Sequence, residues 1–522
     1  MESFPNHELP KLNVLTHLSI VNCDSMDASF SGGLWPPTLC RLKIGGLKTP
    51  ISKWDPQTFP TSLVVLSLHG GQSENVSNFS QLSHFPSSIT SLEIYGFEKL
   101  ESVSMGLQHL TSLQHLTTLI EKLKSLSVGL PTPHFPNMII QKRSDLELLT
   151  RLMLIGGTDY TGVLTVASSV TILNVTDISR VNHQLLGGVL KYLGAVEEVT
   201  IEECKEIRCL WESDTEASKV LVNLRILDVH FCSNLVSLGE KDDENCASNL
   251  TSLRRLEVWY CHSLENVSCP NSIESLKLHG CDSITSVFFP TEGRLNLKSL
   301  SIVHCKKLWE KDLKGGQKTR VLINSTIWML EFVRLSYFIH LTKLKIEDCP
   351  HMESFPYDEL PNHNVLERLT IVNCPSMDAS FPCGLWPPKL CFLNIGGLKK
   401  PISEWGPQNF PNSLVELHLR SIPSEDVSNF SQLSHLLPSS LTTLGIIGFE
   451  KLESISMGLQ HLTSLQHLSI SKCPKTKDLP EKLLPSLLCL RIFLCPNLKK
   501  SCSRRGSYWP LISPLPCFNI HG

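Results

Sequence analysis

One nine-residue pattern recurs along the chain and constrains its fold more than any other feature. Its clearest copy is Leu253-Arg-Arg-Leu256-Glu-Val258-Trp-Tyr-Cys261, which has the form Leu-x-x-Leu-x-Leu/Val/Ile-x-x-Cys. Successive side chains of a β-strand alternate between its two faces. The pattern therefore predicts a short strand in which Leu256 and Val258 enter a core, while the residues on either side of each point away from it.

The pattern occurs nineteen times, in phase, which predicts a repeat protein. Thirteen further strict copies, with Cys or a near substitute at the last place, begin at Leu15, Leu39, Ile89, Val196, Leu224, Ile273, Leu297, Leu341, Leu366, Leu390, Leu441, Leu465 and Leu487, and five looser ones at Leu63, Leu113, Leu149, Val170 and Leu414. Most starts lie ~20–29 residues apart, the spacing of leucine-rich repeats. We predict an α/β solenoid, a leucine-rich-repeat horseshoe with a parallel concave sheet. Prolines before many strands predict an irregular, helix-poor convex side.

A duplication divides the chain. Met1-Glu-Ser-Phe-Pro aligns with Met352-Glu-Ser-Phe-Pro, and Ser104-Met-Gly-Leu-Gln-His-Leu110 aligns with Ser456-Met-Gly-Leu-Gln-His-Leu462. Five segments are predicted: repeats of the first copy (1–127), a Pro-rich junction without a repeat (128–148), middle repeats (149–351), repeats of the second copy (352–500) and a C-terminal tail (501–522). Because the first copy begins in mid-repeat, we interpret it as truncated at the N-terminus. The 44 residues from Leu297 to Leu341 predict a degenerate repeat.

Charge and cysteine usage narrow the function class. The net charge of −3 shows no basic bias that would favour binding to nucleic acid. No polybasic cluster that would favour binding to a membrane occurs in the sequence. Ten of the nineteen cysteines occupy the closing position of the repeat, which predicts a ladder of buried, reduced thiols. Disulfides remain the alternative, favoured only in a secreted protein. The chain opens without a basic and apolar leader, so we expect a location in the cytoplasm or the nucleus.

No catalytic constellation stands out in the sequence. The nearest approach to a phosphate-binding loop is Gly315-Gly-Gln-Lys318, which lacks the earlier glycine that such a loop requires. Neither a Gly-x-Ser-x-Gly elbow nor a His-Glu-x-x-His helix occurs. We therefore expect no enzyme activity, no cofactor and no metal site.

The remaining candidate is a surface. Outward strand positions of consecutive repeats stack into a ribbon on the concave face, and a Trp–Tyr pair beside charged residues is typical of a protein-binding hot spot. The candidate protein-binding residues are Thr200, Glu202, Asp228, His230, Phe231, Glu257, Trp259, Tyr260, Lys277, His279, Ser301 and His304. Phe231 and Tyr260 equally fit a role in packing between repeats, whereas the alternation favours an outward, binding role for Trp259.

The amino-acid sequence of the repeats resembles that of one family. Leu462–Pro474, Gly384-Leu-Trp-Pro-Pro388, Pro401-Ile-Ser-Glu-Trp405 and Gly506–Ser513 are similar to the C-terminal repeats and tail of plant coiled-coil, nucleotide-binding, leucine-rich-repeat disease-resistance proteins. The resemblance implies a sensor for a pathogen effector or a guarded host protein, and an autoinhibitory contact with a nucleotide-binding domain in cis or in trans. The family's signalling and nucleotide-binding domains have no counterpart in this sequence, so ATP or ADP binding is not carried over.

Two other functions remain open. A substrate-recruiting adaptor of a ubiquitin ligase also uses such repeats, but it needs an F-box-like helical segment, for which residues 1–14 are too short. An inactive receptor fragment is consistent with the start in mid-repeat.

Overall fold

The structure is a computed structural model whose described residues fall into two units, Met1–Leu256 and Glu257–Gly522. The described residues are 6–26, 35–53, 59–71, 74–77, 85–100, 110, 112–113, 115–119, 137–140, 171–176, 186, 190, 193–210, 221–239, 250–289, 295–309, 320–323, 335–353, 355, 357–378, 386–405, 410–422 and 425–521.

The first unit contains a ladder of parallel strands in which each strand pairs with the next along the chain. Its strands are β1 (His17–Cys23), β2 (Arg41–Leu47), β3 (Val65–His69), β4 (Ser91–Tyr95), β5 (His115–Leu119), β6 (Asn137–Ile140), β7 (Ile172–Thr176), β8 (Glu198–Glu202) and β9 (Ile226–His230). β10 (Arg255–Trp259) crosses the boundary between the units.

The second unit contains a main parallel sheet and a smaller one. The main sheet consists of β12 (Ser275–His279), β14 (Ser299–Val303), β16 (Lys343–Glu347), β17 (Arg368–Cys374), β18 (Phe392–Leu398), β19 (Glu416–Arg420), β20 (Thr443–Ile447), β21 (His467–Ser471), β22 (Cys489–Phe493) and β23 (Cys517–His521). The smaller sheet consists of β11 (Asn266–Ser268), β13 (Ser286–Phe289) and β15 (Arg320–Ile323).

The predicted solenoid of leucine-rich repeats is confirmed by the alternation within the strands. In β8, β9, β10 and β12 the second and fourth residues are buried and the other three are partly exposed. In-register pairing stacks equivalent positions, so Leu42 lies beside Leu66 and Ile44 beside Leu68, all at most 1% exposed. Each repeat covers the apolar row of its neighbour, which is how a solenoid builds a continuous core.

Serine and threonine side chains tie the entry of one strand to the entry of the preceding one. Ser62 precedes the opening residue Leu63 and donates a hydrogen bond to the carbonyl of Leu39, the opening residue of the repeat before, at 2.9 Å. The same contact recurs from Ser440 to the Leu414 carbonyl at 2.7 Å. This contact explains why Ser follows Pro so regularly before the strands: Pro breaks regular structure and Ser anchors the turn.

A left-handed residue ends the strand segment in all fourteen strict copies of the pattern. It stands immediately before the closing residue, has a φ between 53° and 78°, and was not foreseen from the sequence. These residues are Asn22, Gly46, Gly96, Glu203, Phe231, Tyr260, Gly280, His304, Asp348, Asn373, Gly397, Gly448, Lys472 and Leu494. Glycine and asparagine adopt this conformation readily, whereas bulky residues do so at a cost. The turn directs the closing side chain into the core.

The predicted cysteine ladder is confirmed at nine of its ten positions. Cys204, Cys232, Cys261, Cys281, Cys305, Cys349, Cys374, Cys473 and Cys495 are at most 1% exposed, whereas Cys23 is only partly buried. The thiol of Cys281 lies 3.5 Å from the His279 carbonyl of its own strand and 3.7 Å from the Val258 carbonyl of the preceding one. Burial raises the pKa of Cys281 to about 11, so it is a neutral thiol at pH 7. All seventeen described cysteines are free thiols.

Three strands correct the sequence-based segments. The prediction that residues 128–148 carry no repeat is wrong, because β6 lies within them and pairs with β5 and β7. The predicted C-terminal tail adds one more strand, β23, to the main sheet. The long interval after Leu297 supplies β15 to the smaller sheet, while β14 pairs directly with β16. The copy predicted at Leu149 lies outside the described residues.

The helices are short, as predicted. Among the helices whose bounds the structure describes, the α-helices are Pro496–Ser501 and Trp509–Ile512. The 3₁₀-helices are Asn6–Lys11, Ile51–Lys53, Lys307–Trp309, Leu335–Tyr337, Tyr357–Asn362, Ile402–Glu404, Phe430–Leu436 and Leu484–Ser486. In the part of the chain that the structure describes, no helix is long and apolar enough to cross a membrane.

A glycine within β18 and the glycine that follows β20 make a testable contrast. Gly396 has a φ of 139°, and a Cβ there would lie 1.8 Å from the Arg420 carbonyl oxygen of the adjacent strand. We expect Gly396→Ala to lower the free energy of unfolding by about 2–3 kcal/mol, measured by urea denaturation.

The matched control is Gly448→Asn. Gly448 has a φ of 78°, and its nearest neighbour, the Ser421 carbonyl oxygen, would lie 3.8 Å from an added Cβ. Asparagine already occupies the equivalent position at Asn22 and Asn373. The expected loss is under about 1 kcal/mol, and equal losses for the two variants would contradict the proposed backbone clash at Gly396.

Candidate protein-binding face

The candidate site is the open face, defined as the alternate strand residues that point away from the buried core. The structure places nine of the twelve predicted residues within strands: Thr200 and Glu202 in β8, Asp228 and His230 in β9, Glu257 and Trp259 in β10, Lys277 and His279 in β12, and Ser301 in β14. Each of the nine is partly exposed. Their placement on the open face follows from the strand alternation, and their role in binding remains a prediction.

In the first unit, the predicted residues of β8 and β9 lie side by side. Thr200 pairs in register with Asp228, and Glu202 pairs with His230. An Arg255 guanidinium nitrogen lies 3.0 Å from a carboxylate oxygen of Asp228. The Asp228 side chain is 16% exposed, so this ion pair lies partly out of water and fixes the position of the arginine.

In the second unit, Glu257 is engaged by its neighbour Lys277. The ammonium nitrogen of Lys277 lies 2.8 Å from a Glu257 carboxylate oxygen. Only 14% of the Glu257 side chain is exposed, against 41% of Lys277. A partner approaching this point therefore meets mainly the lysine.

Four rings form a continuous group, here named the aromatic row: Trp259, Tyr260, His279 and His304. The His279 ring centroid lies 4.7 Å from that of Trp259 and 5.0 Å from that of Tyr260. His279 also stacks on His304, with centroids 5.5 Å apart and planes inclined by 18°. Beyond the row, His304 Nε2 lies 3.2 Å from an Asp348 carboxylate oxygen. The aromatic row combines flat apolar area with polar edges.

Three predicted residues are not strand residues. Phe231, Tyr260 and His304 follow their strands and are the left-handed residues described above. Phe231 is 44% exposed, so its ring is available at the surface. Tyr260 packs over the next repeat, because a Cβ on Gly280 would lie 2.5 Å from the tyrosine ring. A role in packing between repeats therefore fits Tyr260 better than Phe231.

A polar network on β16–β19 was not predicted from the sequence. The Arg368 guanidinium carbon lies 3.7 Å from the Phe392 ring centroid, a cation–π contact. His418 Nε2 lies 2.8 Å from a Glu416 carboxylate oxygen. Arg420 lies 3.6 Å from Glu347, which Lys345 also approaches to 2.8 Å. The outward alternation that selected Trp259 also marks Lys345, Glu347, Arg368, Phe392, Glu416, His418 and Arg420.

In the first copy, β3 and β4, which correspond to β19 and β20, carry different contacts. The Ser67 hydroxyl donates a 2.6 Å hydrogen bond to the Glu93 carboxylate. The rings of His69 and Tyr95 lie 4.9 Å apart. Burial, and secondarily the charge of Glu93, raise the pKa of Tyr95 to about 12, so its hydroxyl stays protonated.

Histidine protonation makes the aromatic row sensitive to its charged neighbours. Burial lowers the pKa of His279 from 6.5, and His304 and Lys345 lower it further. Glu347 and Asp348 act in the opposite direction. His279 is therefore neutral at pH 7. Among the described residues, no group of three or more His, Cys, Asp or Glu side chains is arranged to hold a metal ion.

Comparisons with known proteins return remote matches among solved structures alone. No protein-family model matches the chain, and no curated protein matches it. Among solved structures, the TLR13–ssRNA13 complex matches at 13% identity and a TM-score of 0.35, covering 100% of this chain and 90% of that one. An internalin (InlF) of Listeria monocytogenes matches at 15% identity and 0.31, covering 70% and 84%.

A plant receptor ectodomain also matches. The leucine-rich-repeat ectodomain of the Arabidopsis thaliana membrane receptor kinase GASSHO1/SCHENGEN3, in complex with Casparian strip integrity factor 2, has 12% identity and a TM-score of 0.34. The match covers 98% of this chain and 62% of the ectodomain. At these values the function of this chain has to be argued from its own residues.

The electrostatics of the aromatic row predict a directional titration. We expect NMR to give His279 a native pKa below 6.5, because burial disfavours the imidazolium. Lys345→Ala should raise that pKa by removing a positive neighbour. Lys343→Ala is the matched control, since Lys343 is not among the charges that shift His279. An equal rise in both variants would contradict this assignment.

The same shift predicts a stability trend. The unfolded chain binds the His279 proton at a higher pH than the native chain does, so the contribution of His279 to stability is lost as pH falls below 6.5. His279→Asn should flatten the decline in the free energy of unfolding between pH 7 and pH 5. An unchanged slope in urea denaturation would contradict this trend.

Proposed function

We propose that this chain is a non-enzymatic protein-recognition module whose open face contacts the partner. The proposal rests on the positions at which the two copies of the duplicated block differ in sequence. Residues 1–84 align with 352–435, and residues 85–98 with 437–450. Of the twelve outward positions in β1–β4, ten differ between the copies; of the other 86 aligned positions, 20 differ.

The inward positions of the same strands did not change. All eight inward residues of β1–β4 are identical to their counterparts in β17–β20, including Leu42 and Leu393, and Ile44 and Ile395. Close packing accounts for this identity, because a core responds to the change of even one methylene.

The outward changes alter chemistry as well as identity. Arg41 corresponds to Phe392, Lys43 to Asn394, and Glu93 to Gly445. Neutral drift on a solvated face mostly exchanges one polar residue for another, whereas these substitutions remove charge or introduce an aromatic ring. Two copies of one framework that present different chemistry support recognition of different surfaces.

The resemblance to plant disease-resistance receptors supplies the proposed biology. The chain would act in plant innate immunity, sensing a pathogen effector or a guarded host protein inside the cell. A nucleotide-binding domain, in cis or in trans, is a second proposed partner. Binding of such a partner to a repeat surface needs no catalytic group.

The test is a selection of binders from a displayed library of effector and host proteins, followed by affinity measurement. We expect Trp259→Ala to weaken binding at least about tenfold, as removal of a hot-spot aromatic does. Met457→Ala is the matched control, because Met457 is 62% exposed and lies outside the strands. Equal effects of the two variants would place the binding site elsewhere.

A test of charge reversal at Glu257 needs a second substitution that restores the ion pair, because this residue pairs with Lys277. We expect Glu257→Lys to weaken binding while the chain stays folded. The double variant Glu257→Lys/Lys277→Glu restores an internal pair with its charges exchanged. If the double variant regains full affinity, the single change acted through folding of the face and not through a contact with the partner.

A control for charge alone is Glu453→Lys. Glu453 pairs with Lys477 at 3.0 Å, and both side chains are more than half exposed. This pair lies outside the strands. A loss of affinity equal to that of Glu257→Lys would indicate a general electrostatic effect.

The alternatives predict different outcomes. A ubiquitin-ligase adaptor would co-purify with ligase subunits, and an inactive fragment would yield no binder in the selection. Sequencing the transcript upstream of Met1 separates a sensor segment of a larger receptor from a free-standing repeat protein. Reproducible hydrolase or nucleotide-binding activity of the purified chain would overturn the proposal of a non-enzymatic module.

A further inference from the structure

The last two strands of the main sheet bring two thiols together. Cys489 in β22 and Cys517 in β23 are paired in register, and their Sγ atoms lie 3.1 Å apart. Neither residue occupies the closing position of the repeat, so neither belongs to the buried cysteine ladder. Side chains paired in register on parallel strands lie on the same face of the sheet, and here that face is the open face.

The two thiols differ in access. Cys517 is exposed, whereas Cys489 is only 6% exposed. The closing cysteines, by contrast, are sequestered: Cys495, for example, is 1% exposed and directs its thiol at the carbonyls of Phe493 and Ile470. An oxidant in solution therefore reaches Cys517 first, and the thiol next to it is Cys489.

We propose that Cys489 and Cys517 are a dithiol that a hydroperoxide oxidises to an intrachain disulfide. The Cys517 thiolate attacks the peroxide, the O–O bond breaks, and a sulfenic acid forms while the alcohol, or water from hydrogen peroxide, leaves with a proton. The Cys489 thiolate then attacks the Cys517 sulfur. The S–O bond breaks, the S–S bond forms, and hydroxide leaves as water after taking up a proton. The two sulfurs lose two electrons and the peroxide gains them.

The sheet geometry allows the bond. Neighbouring strands lie ~4.8 Å apart, which falls within the Cα separations found in disulfides. The sulfurs must approach by about 1 Å to reach the ~2.05 Å bond length. There is space for that movement, because four of the five residues of β23 are exposed, Phe518 by 39%.

The disulfide would fasten a weakly packed strand. β23 is held by backbone pairing to β22 and by an edge-to-face contact of Phe518 with Trp509, whose ring centroids lie 5.8 Å apart. A covalent link 28 residues apart in sequence would add to these contacts. Oxidation would then hold the end of the open face in its paired form.

Peptide mapping tests the proposal directly, because trypsin separates every cysteine of this region. Cleavage after Lys482, Arg491, Lys499, Lys500, Arg504 and Arg505 places Cys489 in peptide 483–491 and Cys517 in peptide 506–522. Cys495 and Cys502 fall in peptides 492–499 and 501–504. The folded full chain is treated with hydrogen peroxide, alkylated under denaturing conditions and digested without reductant.

The expected product is peptide 483–491 linked to peptide 506–522, lighter than their sum by two hydrogen atoms. Cys517→Ser and Cys489→Ser should each abolish it. Cys391→Ser should leave it unchanged, since Cys391 is another partly exposed thiol, located before β18. Recovery of both peptides only as alkylated thiols, linkage to Cys495 or Cys502, or linkage between chains would overturn the proposal.

Limited proteolysis of the folded chain gives an independent readout. Cleavage after Arg505 releases 506–522 from the reduced chain upon denaturation, whereas the oxidised chain retains that fragment until reductant is added. If peroxide-treated and untreated chains release equal amounts of 506–522 on denaturation, the disulfide is refuted. This readout also applies to variants whose folding is impaired.

Discussion

Strand register is the constraint on which the rest of the structure depends. Parallel pairing puts Leu393 of β18 beside Leu417 of β19, and Ile395 beside Leu419. Because side chains alternate, a slip of one residue in any pair would exchange the core with the open face. Each repeat therefore needs its register fixed at both ends. The serine before the opening leucine fixes the entry, and the left-handed residue before the closing position fixes the exit.

The exit turn explains why the closing position favours cysteine without requiring it. A left-handed residue turns the chain so that the next side chain enters the core, and its backbone N–H extends the ladder, as from Lys472 to the Phe493 carbonyl at 2.9 Å. Cysteine fits because its thiol is small and directs weak hydrogen bonds at nearby carbonyls. Phe97, Phe449 and Leu398 fill the same place where Gly96, Gly448 and Gly397 provide the turn.

Much of the fold was predictable from the sequence, because periodicity reports burial directly. Leu256, Val258 and Cys261 lie where the pattern placed them, each fully buried. β6 and β23 were missed because Met138 and Phe518 stand where the pattern requires leucine. A pattern that accepts any large apolar residue at the leucine positions matches Phe135-x-x-Met138-x-Ile140 and Leu515-x-x-Phe518-x-Ile520. The smaller sheet was missed because strands of three or four residues carry too little alternation to be distinguished from loops.

The candidate face was only partly accessible from the sequence, for a physical reason. Alternation predicts that Glu347 and Arg420 point outward, but not that they meet across strands 73 positions apart at 3.6 Å. Such contacts depend on side-chain length and rotamer, which sequence spacing does not encode. They matter because charges already paired within the face, such as Glu257 with Lys277, are held in place before a partner arrives. In the proposed recognition role, this face would lose less side-chain conformational entropy on binding, and the charges of a partner would have to match a fixed pattern. The invariant core and the paired, variable face are thus two consequences of a single register.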